Sequence, residues 1–133
     1  MKLTTYIQGD DDNQKLFSEI GVFLISKKVH DELGTAITTQ NSDTWITATN
    51  KSGKCLGFIT YRQLKNGIHI RFVYGEDETI HNKLIETVLI KIGSYSVWTN
   101  DRKTATIWKE FGFKAKPRAT GNFCRWERIT NVI

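Results

Sequence analysis

Between Thr44 and Ile92 the hydrophobic period changes once, and that change restricts the fold more than anything else in the 133 residues. Thr44 to Asn50 (TWITATN) is β-branched and alternating, which suits a pleated strand. Lys51-Ser52-Gly53-Lys54 turns it into Cys55 to Tyr61 (CLGFITY), a mostly apolar run. Lys65-Asn66-Gly67 turns the chain again into Ile68 to Tyr74 (IHIRFVY), Asn-Gly being a strong hairpin signal. Two tight turns in succession make an antiparallel meander. After Gly75-Glu76-Asp77-Glu78 the period becomes helical. Ile80, Leu84, Ile85, Val88, Leu89 and Ile92 share one face, and Gly93 is placed to end the helix. Tyr95 to Thr99 (YSVWT) is then a further strand, entered by a crossover of the length a βαβ unit needs.

The flanks extend this pattern. Leu3, Thr5 and Ile7 alternate as a short first strand, and Gly9-Asp10-Asp11-Asp12-Asn13 supplies cap residues for a helix. Leu16, Phe17, Ile20, Phe23 and Leu24 form the apolar face of that helix, while His30 to Ser42 reads as loop or a short weak helix. Asn100-Asp101 caps a last helix carrying Ala105, Trp108 and Phe111, closed by Gly112. Phe113 to Ile129 reads as two strands around Pro117–Asn122. The expectation is one α/β domain over residues 1–133, ordered β-α-β-β-β-α-β-α-β-β. Its sheet is mixed but mostly antiparallel, with about seven strands and helices on both faces.

Composition excludes several classes. With 39% hydrophobic residues the chain is not a disordered polyelectrolyte. No run reaches the roughly 18 apolar residues of a membrane span, and the first residues lack a signal-peptide core. Cys55 and Cys124 form neither a disulfide framework nor a zinc knuckle, so a soluble protein of the reducing cytoplasm is the economical reading. No metal site, Walker loop or Ser-His-Asp elbow is present in the sequence pattern. The net charge of +5 is uneven: residues 102–128 carry eight basic and two acidic side chains. A basic C-terminal third attracts an acidic partner, whether nucleic acid, acidic protein or phosphate-bearing cofactor, or forms a solvated face.

The element order, together with Trp108-Lys109-Glu110-Phe111-Gly112-Phe113 ending the last helix, resembles the GNAT superfamily of N-acyltransferases. That family commonly carries an aromatic four residues before Gly-Phe at this point, usually tyrosine where this chain has Trp108. The segment from Val97 to Ile129 is also similar to small GNAT-like proteins of tailed bacteriophages, which would place the chain in the host cytoplasm or a virion.

The resemblance implies acetyl-CoA as cofactor. Its pantetheine would lie along Phe72, Val73, Tyr74 and Gly75, where the fourth strand splays from the fifth. The turn that follows would cradle the pyrophosphate, with Arg or Gln and two glycines or alanines. Counting back from Leu84-Ile85 puts Glu76, Thr79 and His81 there instead. Glu76, Asp77 and Glu78 complement a helix dipole but oppose a pyrophosphate, leaving His81 and Lys83 as compensating groups. Asn100, Asp101 and Trp108 fall at further cofactor positions, and capping or core packing accounts for them equally.

For acid–base work the candidates are Glu76 and His69, with Asp77 beside the first. Lys114, Lys116, Arg118 and Arg125 flank the last hairpin on the implied acceptor side, interleaved with Phe123 and Trp126. Three functions therefore follow. The first is an acetyl-CoA-dependent N-acetyltransferase acting on an acidic or nucleic-acid-associated amine. The others are an inactive GNAT-like phage virion or accessory protein, and a nucleic-acid-binding module using the basic hairpin.

Overall fold

The computed structural model describes residues 1–7, 13–33, 37, 43–64, 67–92, 96–99, 114–116 and 124–127. In chain order these form β1 (Lys2–Ile7), α1 (Asn13–Leu24), α2 (Lys27–Leu33), β2 (Thr44–Thr49), β3 (Cys55–Leu64) and β4 (Gly67–Gly75). After them come α3 (Glu78–Ile92), β5 (Ser96–Thr99), β6 (Lys114–Lys116) and β7 (Cys124–Glu127). The strands make one sheet in the order β1-β2-β3-β4-β5-β7-β6. Side chains are described for β1 to β4, and β5, β7 and β6 extend the sheet at the level of backbone pairing. Neighbours are antiparallel except β4 and β5, which run parallel because α3 carries the chain back across the sheet.

The turns explain the meander. Asn50 Oδ1 accepts from the Ser52 and Lys54 amides, each at 3.0 Å, and from Ser52 Oγ at 2.8 Å. Gly53 takes a φ of 86°, which a residue without a Cβ adopts at little cost. Beyond Lys65 and Asn66 the ladder resumes with Leu64 opposite Gly67.

Helices cover both faces of the sheet. On one, Leu84, Ile85 and Val88 of α3 are fully buried against Ile46, Ile59, Ile68 and Ile70. On the other, Leu16, Ile20 and Phe23 of α1 and Val29 of α2 pack with Trp45, Phe58, Phe72 and Tyr74. Glu19 adds a polar pin under α1. Its Oε2 accepts from Thr47 Oγ1 at 2.6 Å and its Oε1 from the Tyr6 hydroxyl at 3.0 Å.

Two local expectations change. Phe17, about 100° round from Leu16, is 37% exposed and leaves the apolar face. The polar stretch read as starting near His30 contains a helix that begins three residues earlier, at Lys27, because Ser26 Oγ accepts the Val29 amide at 3.3 Å and caps it. The expected last helix and the Gly9–Asp12 cap lie outside the described residues.

Cys55 is buried, and its Sγ donates to the Gly57 carbonyl at 3.4 Å. Burial dominates and pushes the thiol up from 9.0 to about 11. A thiol held protonated by the fold adds stability that is full below the unfolded value and is lost as pH rises through the folded one. In urea titrations, the stability difference between the wild type and Cys55→Ala is expected to shift against the wild type between pH 9 and 11. A difference that stays constant over that range would contradict the assignment.

Candidate active-site cleft

The site begins with an irregularity in β4. Its register against β3 runs Tyr61↔Ile70 and then Thr60↔Phe72, which leaves Arg71 as an extra residue, a β-bulge. The bulge reverses the pleat. Ile68 and Ile70 face the α3 side, as does Val73, whereas Phe72 and Tyr74 face the α1 side. A strand with an extra residue twists and bends locally. The pairing of β4 with β5 ends at the same place, at Ile70↔Thr99. Among the described residues, Arg71–Gly75 therefore have a strand neighbour on the β3 side alone. Alternate backbone N–H and C=O groups of this run point away from β3 and can bind an extended amide chain.

Charge holds the bulge. Asp43, immediately before β2, has no solvent exposure, and Arg71 Nη1 donates to its Oδ2. Arg62 Nη2 reaches the other carboxylate oxygen at 3.5 Å, and the Arg71 guanidinium lies over the Phe72 ring at 4.9 Å.

Past the open run, β4 ends in a cavity of about 340 Å³ between α2 and the first turn of α3. Val73, Tyr74 and Gly75 form its strand wall, and Glu32 and Leu33 come from α2. Glu76, Asp77 and Glu78, with His81 and Asn82, close it from the turn and α3. Asp77 is the helix cap, its Oδ1 accepting the Ile80 amide at 2.9 Å. Glu76 Oε1 lies 3.3 Å from Lys54 Nζ at the exposed rim. Tyr74 is 8% exposed, and burial, then Glu32 and Glu76, push its hydroxyl above the ordinary value. Gly75 sits where α3 approaches closest: a Cβ there would stand 2.5 Å from the His81 nitrogen and 2.9 Å from its Cα.

The residues singled out from sequence separate into groups. Val73, Tyr74, Gly75, Glu76 and His81 meet at the cavity, and Phe72 lies on the open run behind it. His69 precedes the bulge and pairs in register with Arg62 and Trp98. It stands roughly 20 Å along the strand from Glu76, at about 3.3 Å per residue. Lys83 is exposed and is not part of the cavity wall. On the far strands, Lys116 pairs with Arg125, while Lys114 pairs with Glu127, which matches one of the basic residues with an opposite charge. Asn100, Asp101, Trp108 and Arg118 lie outside the described residues. Asp43, Arg71 and Glu32 were not singled out. The available signal was the break in alternation where Ile68 and Ile70 give way to three apolar residues, Phe72-Val73-Tyr74.

No protein-family model matches the sequence, and no curated protein matches it. Solved structures do match. An acyl-CoA N-acyltransferase from Pseudomonas aeruginosa gives a TM-score of 0.63 at 14% identity, covering 96% of this chain and 99% of that one. An acetyltransferase of the GNAT family from Staphylococcus aureus MU50 gives 0.56 at 12% identity, covering 95% and 99%. This is the GNAT fold. N-acetylglutamate synthase from Neisseria gonorrhoeae, complexed with coenzyme A and N-acetyl-glutamate, gives 0.52 at 11% identity, covering 96% of this chain and 35% of that one.

On this GNAT scaffold the two halves of a coenzyme A site behave differently. The open run of β4 suits an amide-bearing arm. The first turn of α3 does not suit a diphosphate. The Ile80 amide is taken by Asp77 Oδ1, the His81 amide by the Asp77 carbonyl at 3.1 Å, and the Glu76 amide by the Leu56 carbonyl at 2.9 Å. Four carboxylates line the cavity, and neither Lys nor Arg is among its lining residues.

Two substitutions test this geometry by urea titration. Asp43→Ala leaves the Arg71 guanidinium buried without its partner and is expected to cost about 3–5 kcal/mol. A loss below about 1 kcal/mol would show that the pair does not hold the bulge. Gly75→Ala forces a methyl into the first turn of α3 and is expected to cost about 1–3 kcal/mol, where a neutral result would contradict the close approach.

Proposed function

We propose that the protein is an acyltransferase of GNAT fold that moves an acyl group from a pantetheine-type thioester to an amine. The observation that carries this reading is the open run Arg71–Gly75, an unpaired edge inside a sheet. In the reaction the amine nitrogen bonds to the thioester carbonyl carbon, the carbon–sulfur bond breaks, the amine loses a proton and the thiolate gains one. Two side chains flank the open run and are the candidates to take the amine proton, His69 before it and Glu76 after it. The donor is recognised through its amide arm, and the α3 turn adds nothing for a diphosphate. An acidic or nucleic-acid-associated acceptor is the finer reading, and it rests on the like-charged cross-strand pair Lys116 and Arg125.

A second reading has its own support. The carboxylates at the α3 turn and Trp108 in place of a tyrosine favour a GNAT-fold accessory or virion protein without transferase activity, like the small phage proteins the C-terminal segment is similar to.

Calorimetry with acetyl-pantetheine and acetyl-CoA separates the two. The transferase reading expects both to bind with affinities within about threefold of each other, because the diphosphate contributes no net attraction. Acetyl-CoA binding more than tenfold tighter would contradict the account of the α3 turn. No binding of either at millimolar concentration would overturn the transferase reading in favour of the accessory one.

A further inference from the structure

The cavity at the end of β4 carries charge of the opposite sign to that a phosphate needs. Of its carboxylates, Asp77 and Glu78 belong to the first turn of α3 and serve its dipole. Glu32 and Glu76 have no such duty: the first comes from α2 and the second precedes the cap. Between them stands Tyr74, 8% exposed, whose hydroxyl has no hydrogen-bond partner among the described residues. A phenol oxygen in such a wall accepts a hydrogen bond from a cation, and its ring offers a π face.

We propose that this cavity binds a linear di- or oligoammonium compound, held by Glu32 and Glu76 with Tyr74 between them. The volume of about 340 Å³ fits a small organic ligand. A metal ion fits poorly, since no three His, Cys, Asp or Glu side chains among the described residues converge on one point. Carboxylates spread along a wall match ammonium groups strung on an alkyl chain, and Leu33 and Val73 supply apolar surface for the methylenes. Glu76 already receives one ammonium, that of Lys54 at 3.3 Å, so an incoming amine competes with an internal one. The inference does not rest on acyl transfer, and its test contains no acyl donor.

Calorimetric titration of the full chain with spermidine and with 1,4-diaminobutane, at low ionic strength, tests it. Spermidine is expected to bind one to one and more tightly than the diamine. Glu32→Gln and Glu76→Gln should each weaken it at least about fivefold, and Tyr74→Phe about threefold. Lys54→Met, which releases Glu76 from its internal partner, should strengthen it about threefold. Asp31→Asn, exposed on the same helix, should leave it unchanged. The proposal is overturned if spermidine shows no saturable binding, if Mg²⁺ competes at equal concentration, or if the two glutamine variants bind as the wild type does.

Discussion

A carboxylate with no solvent exposure has to be neutralised where it stands, and Asp43 is neutralised by Arg71. Arg71 is also the residue by which β4 exceeds its partner, so the ion pair and the bulge are one feature. From it follow the reversal of the pleat, the assignment of Phe72 and Tyr74 to the α1 core, and that of Val73 to the α3 core. The parallel pairing with β5 stops one residue before the bulge. An extra residue in one strand thus converts a continuous sheet into one with an open edge near its centre.

Beyond the bulge, the end of the open run is governed by close packing and by charge. Gly57 and Gly75 lie opposite each other, and a side chain on either would run into the backbone of Tyr74 or His81. This lets the first turn of α3 come down onto β4, with Asp77 capping it. The same turn then presents carboxylates where a phosphate-binding loop presents free amides. The positive end of the helix is answered from within the chain, and the cavity it helps to form has become a place for cations.

Much of this fold was legible in the residues. The two turns of the meander, the helical face of α3 and the crossover to β5 follow from period and punctuation, since each buries a large apolar stripe that admits one arrangement. The bulge was harder to read. IHIRFVY looks like an ordinary strand, and its extra residue is fixed by Asp43, 28 positions away across a long-range contact. Likewise Ser26 sets the start of α2, and α2 in turn brings Glu32 to a cavity whose other walls are more than forty residues later. Local sequence carries propensities, whereas a site assembled from distant elements depends on which buried charges find each other.

The central claim is that β4 past the bulge is a binding edge for an acyl-thioester arm. Amide NMR of the isotopically labelled protein during titration with acetyl-pantetheine tests it most directly. The account predicts saturable shifts concentrated on the amides of Arg71 to Gly75, with those of β1 and the far face of α3 unmoved. Shifts absent from this run, or spread evenly over the surface, would contradict it.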